Sequence, residues 1–244
     1  MFASHTQRKK AFTLIELSVV IVIIGLIVAG IVSGTNLVRQ AKLIAITKDV
    51  NRYVASINSF KLLYNALPGD IKNASSYFPG ANDGNGNNFI NWQGTDYEDK
   101  LAWQHLALAN LINGKYSGSG SGPPYVAGVT VPSGPLPRSA YWLTEAVASN
   151  PFSDIWGYGG TNIQFAAQIG SGSSNYPIGP IITAIEAYAI DKKIDDGLPN
   201  KGTFMARNGV FAVNPCTSSS APYTYITSSS DLSCRIFFFI SSKR

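Results

Sequence analysis

The chain is poor in the side chains that most enzymes and metal centres use. Its 244 residues include two cysteines and two histidines, and charged residues make up only 14%. The histidines, His5 and His105, are far apart and neither stands near a cysteine, so a zinc centre lacks ligands and a thiol nucleophile lacks its base. There is no Gly-x-Ser-x-Gly elbow, no phosphate-cradling glycine loop and no metal triad, so the expectation is that the chain is not an enzyme. Excess positive charge is also scarce once it is located. Of the net +5, Arg8, Lys9 and Lys10 supply three, and from Ala11 onward sixteen basic residues face fourteen acidic ones. That balance is no footprint of nucleic-acid binding.

Charge is missing altogether from residues 17–38, twenty-two positions in succession. At about 1.5 Å per residue a helix of this length spans roughly 30 Å, the thickness of a bilayer's hydrocarbon core. The basic cluster just before it would hold the N-terminus in the cytoplasm and send the rest across the membrane. Glu16 is out of place here, because a carboxylate inside a membrane costs about 2.5 kcal/mol or more and implies a function and a partner. Cutting the chain after Ala11 would create that partner. The new ammonium of Phe12 would lie about one helical turn from Glu16, or beside the Glu16 of a neighbouring subunit, where opposite charges attract strongly. An ordinary uncleaved signal anchor would have no need of Glu16.

The basic leader, the small residue Ala11 and the run Phe12-Thr13-Leu14-Ile15-Glu16-Leu17 resemble the prepilin cleavage and methylation signal of type IV pilins and type II secretion pseudopilins. The resemblance covers roughly the first 35 residues. It implies a cut between Ala11 and Phe12 by a prepilin peptidase that also N-methylates Phe12, with Glu16 guiding helix packing into a filament. The family usually has glycine before the cut, where this chain has Ala11. The partners implied are the peptidase/N-methyltransferase, other pilin or pseudopilin subunits and the inner membrane, with the head in the periplasm. The implied fold is α+β and pilin-like: a leader (1–11), a transmembrane helix half (12–38), an amphipathic half (39–67) and a globular head (68–244) with a small antiparallel sheet.

The periodicity beyond the membrane supports this independently. Ile46, Val50, Tyr53, Val54, Ile57, Phe60 and Tyr64 recur at three- and four-residue steps with Lys48, Asp49, Arg52 and Lys61 between them, which predicts an amphipathic helix stopped by Pro68. Gly25, Gly30 and Gly34 interrupt the membrane half, either for local melting or close packing in a filament, or because glycine is common in membrane helices. Leu67-Pro68-Gly69-Asp70 predicts a turn, and Asp83, Asn85 and Asn87 start like a calcium loop whose later positions are missing.

A helix is expected over 96–113, with acids at its start, Gly114 past its end and His105 as a hydrogen-bonded structural residue. A surface loop is expected over 117–137, with a strand at 126–131. Residues 141–147 and 163–167 read as strands or helical turns, 181–190 as a helix, and 209–213, 223–227 and 235–240 as strands. The last of these is apolar on both faces, hence buried, with Lys243 and Arg244 guarding its end. Cys216 and Cys234, both on the exported side, predict a disulfide worth about 3 kcal/mol.

No cofactor is required, but calcium is a candidate at Asp191, Asp195 and Asp196, where acids crowd into a turn at Gly197; the alternative is a helix end pairing with Lys192 and Lys193. The function expected is a structural filament subunit. The alternative is a displayed glycan-binding adhesin, suggested by Trp92, Trp103, Trp142 and Trp156 in polar, glycine-rich surroundings.

Overall fold

The computed structural model describes residues 12–92, 97–118, 125–146, 159–170 and 176–240. The leader with Ala11, and Asp96, Trp156, Lys243 and Arg244, lie outside them. The chain divides into two compact units, Met1–Lys42 and Leu43–Arg244. One helix, α1 (Leu14–Tyr64), contributes to both.

In the first unit the helix has no core of its own. Val20, Ile24, Leu26 and Ile31 are all at least half exposed, and none of the most apolar window is buried. A side chain at Gly25, Gly30 or Gly34 would meet nothing within 4 Å, so internal packing of the chain does not require glycine there. By length and composition this helix can cross a membrane, with a mean hydropathy of 2.9 over its best window.

In the second unit the same helix becomes one wall of a core. Ile46, Val50, Tyr53, Ile57 and Phe60 are buried, and Val54 and Tyr64 are partly so. The helix ends at Tyr64, before Pro68 can act: Asn65 turns left-handed (φ 52°) while its N–H still reaches Lys61 O at 2.9 Å. The expected turn follows, with Asp70 N–H donating to Leu67 O across Gly69 (φ 90°). A Cβ on Gly69 would lie 2.3 Å from Glu98 O, so both conformation and close approach demand glycine.

After the short α2 (Ala74–Tyr77), α3 runs over Glu98–Leu108. It is shorter than the sequence suggests, because Asn110 (φ 57°) takes the left-handed position well before Gly114. Its first turn is buried rather than solvated. Glu98 accepts Asn85 N–H and Asn91 N–H, while Asp70 accepts Asn87 N–H and Asn88 N–H, so two buried carboxylates organise the asparagine-rich loop. That loop is turn chemistry: the Asn85 and Asn87 side chains each accept the N–H two residues on. At 126–131 there is no strand but a tight turn, in which Val126 N–H donates to Thr130 Oγ1.

Among the described residues five antiparallel strands form one sheet: β1 (Ser139–Ala146), β2 (Gly160–Ile169), β3 (Tyr176–Gly179), β4 (Phe204–Asn208) and β5 (Cys234–Phe239). The order is β1-β2-β5-β4, with β3 on the far end of β2. The rungs Tyr141–Phe165–Ile236–Ala206 and Leu143–Ile163–Phe238–Phe204 share one face. This face meets α1, where the Tyr141 and Tyr53 rings lie 5.1 Å apart and Tyr141 Oη donates to Asp49. Strand β5 is central and buried along its whole length, as its doubly apolar run implied.

Two further expected strands are not formed. Residues 209–213 make a turn in which Phe211 is left-handed and 84% exposed, and 223–227 contribute only an isolated bridge, Thr217 to Tyr225. Helix α4 (Ala184–Ile194) starts three residues later than its apolar spacing suggests, because Thr183 and Glu186 close a capping box. Ile182 instead bridges to Cys234, which is joined to Cys216 in a disulfide.

Candidate functional sites at the N-terminus and in the head

The N-terminal site is built by local hydrogen bonds. Thr13 is the cap of α1: its N–H and hydroxyl both donate to Glu16 Oε2 (2.8 and 2.9 Å), and Glu16 N–H donates to Thr13 Oγ1 at 3.3 Å. This is a reciprocal capping box. Thr13-x-x-Glu16 is its sequence signature, and a reading that attends only to the charge of Glu16 misses it. The carboxylate thus has two donors within its own chain. Phe12 stands beside it with its ring exposed.

In the head, the three aspartates of the acidic turn are held separately. Asp191 is buried and accepts from both sides, Tyr225 Oη at 2.7 Å and Gly197 N–H at 3.1 Å. Asp195 Oδ2 accepts Thr203 N–H, Thr203 Oγ1 and Phe204 N–H, fixing the turn into β4. Asp196 Oδ1 accepts Leu198 N–H. Among the described residues no three His, Cys, Asp or Glu side chains are gathered as a metal ligand set. The acidic turn is organised by these N–H and O–H donors.

Burial pushes the Asp191 carboxyl up to about 6, against the lowering effect of Tyr225 and Gly197 and with added repulsion from Asp196 and Asp195. Tyr225, its partner, is pushed up by desolvation. The same corner carries an open cavity of about 340 Å³ lined by Tyr188, Gly197, Leu198, Thr224, Tyr225 and Thr227.

Trp92, Trp103 and Trp142 are core residues and offer no exposed ring, and Trp156 lies outside the described residues. Trp142 Nε1 donates to Asp99 Oδ2 at 2.7 Å, and Tyr125 Oη donates to the same oxygen at 2.5 Å. Burial raises Asp99 to about 6 even so. His105 is structural, as expected. Its Nδ1 accepts Gly69 N–H and its Nε2 faces Asn82 O at 2.8 Å, so the neutral ring with hydrogen on Nε2 satisfies both partners. Burial lowers its pKa.

Comparison with known families places the N-terminal site in a class. Residues 6–32 match the family described as the prokaryotic N-terminal methylation motif. This is the prepilin signal of type IV pilins and pseudopilins, and the chain carries it ahead of an α+β head with a small antiparallel sheet. No curated protein and no solved structure matches the chain.

Proposed function

We propose that the chain is a prepilin-type structural subunit. A prepilin peptidase removes residues 1–11 between Ala11 and Phe12 and methylates the new Phe12 amine. Residues 12–38 hold the protein in the inner membrane, residues 39–67 carry the helix into the head, and the head (68–244) faces the periplasm. Copies then pack through the apolar helix into a type IV pilus or a type II secretion pseudopilus. The reading is supported above all by one observation: the methylation motif at residues 6–32 covers the start of a charge-free helical stretch, 17–38, whose apolar side chains are unburied in the single chain. Such a surface needs lipid or sister helices around it.

Mass spectrometry of protein from the native host tests the processing. The expected species begins at a methylated Phe12, and an intact Met1 with unmodified Phe12 overturns the reading. Replacing Ala11 with a bulky residue should leave an unprocessed form eleven residues longer. Glu16→Ala should leave the protein in the membrane and impair filament formation; normal filament yield would refute a role for Glu16 in assembly.

A further inference from the structure

The cavity beside α4 has the chemistry of a site for a neutral sugar. Two tyrosine rings form its walls, with Tyr188 and Tyr225 centroids 5.7 Å apart and planes inclined at 57°. Tyr188, Thr224 and Thr227 line it, and their hydroxyls have no hydrogen-bond partner among the described residues. The charged residues nearby lie outside the cavity's lining. Both oxygens of Asp191 accept hydrogen bonds, Asp196 accepts Leu198 N–H, and the Lys192 ammonium lies 5.7 Å from the centre of the Tyr188 ring.

A wall of ring faces and unengaged hydroxyls, with no charged residue in its lining, favours a ligand with apolar C–H faces and many hydroxyls over a phosphate or carboxylate. The walls are also fixed in advance. Asp191 holds the Tyr225 hydroxyl and the Gly197 amide together, and Tyr225 lies in the loop closed by the Cys216–Cys234 disulfide, where it bridges to Thr217. Preorganised walls reduce the ordering cost of binding.

We infer that this cavity binds one neutral saccharide unit, stacked on Tyr188 and Tyr225 and hydrogen-bonded by Thr224 and Thr227. The inference is independent of the filament reading, since it rests on the head alone. Tyr188 is the recognition residue, and Asp191 is a positioning residue that acts through Tyr225 and Gly197.

Saturation-transfer NMR on the full-length protein tests it, in a detergent without a sugar headgroup. The probes are glucose, galactose, mannose and N-acetylglucosamine, with glucose 6-phosphate, N-acetylneuraminic acid and decaproline as comparators. At least one neutral sugar should show transfer to its ring C–H protons. Tyr188→Ala should weaken that binding about tenfold or more, whereas Tyr188→Phe, which keeps the ring, should stay within about threefold of the parent. Tyr188 is partly exposed, so the truncation is not expected to unfold the head. Tyr77→Ala, at an exposed tyrosine elsewhere, should change nothing.

No transfer to any neutral sugar overturns the proposal, as does binding unaffected by Tyr188→Ala. A charged sugar bound more tightly than every neutral one refutes the ligand class. Decaproline bound in their place with the same Tyr188 dependence makes the cavity a peptide groove instead.

Discussion

Asp99, Asp191 and His105 are buried groups whose ionisation the fold opposes, and they oppose it with different signs. Asp99 has a carboxyl pKa raised from 3.8 to about 6 in the folded state. Its contribution to stability is therefore full below the unfolded value near 4 and is lost as pH rises through 6. Asp191 acts with the same sign over the same window. His105, with its pKa lowered from 6.5, stabilises above that value and loses its contribution as pH falls below it. Asp99→Asn should therefore flatten one side of this profile. An amide oxygen in the place of Oδ2 keeps both Tyr125 Oη and Trp142 Nε1 satisfied, and the Lys100 N–H that donates to Oδ1 keeps Tyr97 O, at 3.1 Å, as an acceptor. Relative to the parent, the variant should gain about 2 kcal/mol between pH 4 and pH 7. Urea unfolding across that range measures it, and a constant difference between the two proteins would show that Asp99 stays ionised throughout. None of this was legible in the sequence, where Asp99 read as an acid suiting a helix dipole; burial is a tertiary property that local charge patterns do not carry.

At the scale of elements, the sequence was most legible where one period ran long. Residues 46–64 announce the buried face of α1 because every apolar step repeats, and 235–240 announce β5 because a run apolar on both faces has nowhere to go but the middle of a sheet. Short segments failed for physical reasons. In β3 the strand signal is broken by Pro177, which is tolerated because β3 pairs with β2 alone. Phe211 and Val213 look like strand residues but are exposed on a turn, and hydrophobicity alone cannot tell the two apart. Helix starts hinge on caps. Thr183→Ala should cost about 1 kcal/mol through loss of the Glu186 N–H acceptor, read from the shift in urea midpoint at unchanged slope. The disulfide fastens β5 to the segment that carries Cys216. Replacing both cysteines by alanine releases a loop with a sequence separation of 18 and should cost about 3 kcal/mol. In a head of this size that is roughly 6–12 °C in Tm by calorimetry; an unchanged Tm would mean that the loop is ordered by its hydrogen bonds alone.

Taken whole, the chain combines a unit that buries a core with a unit that buries none, and Glu16 stands at the start of the second kind. Two roles compete for its carboxylate. Within one chain it closes the Thr13 capping box, satisfying helix N–H groups that would otherwise face lipid unpaired. In the proposed filament it meets the methylated amine of a neighbouring Phe12, which is a charge interaction. Glutamine separates the two, because its amide oxygen can take the place of Oε2 in the capping box but carries no charge. Glu16→Gln should therefore enter the membrane and be processed like the parent, while its filament yield falls nearly as far as that of Glu16→Ala. Electron microscopy of sheared filaments, alongside immunoblots of the membrane fraction, reads both quantities in one preparation. If Glu16→Gln assembles normally and Glu16→Ala does not, capping is the whole contribution of Glu16, and register between subunits must come from the apolar surface of α1 itself.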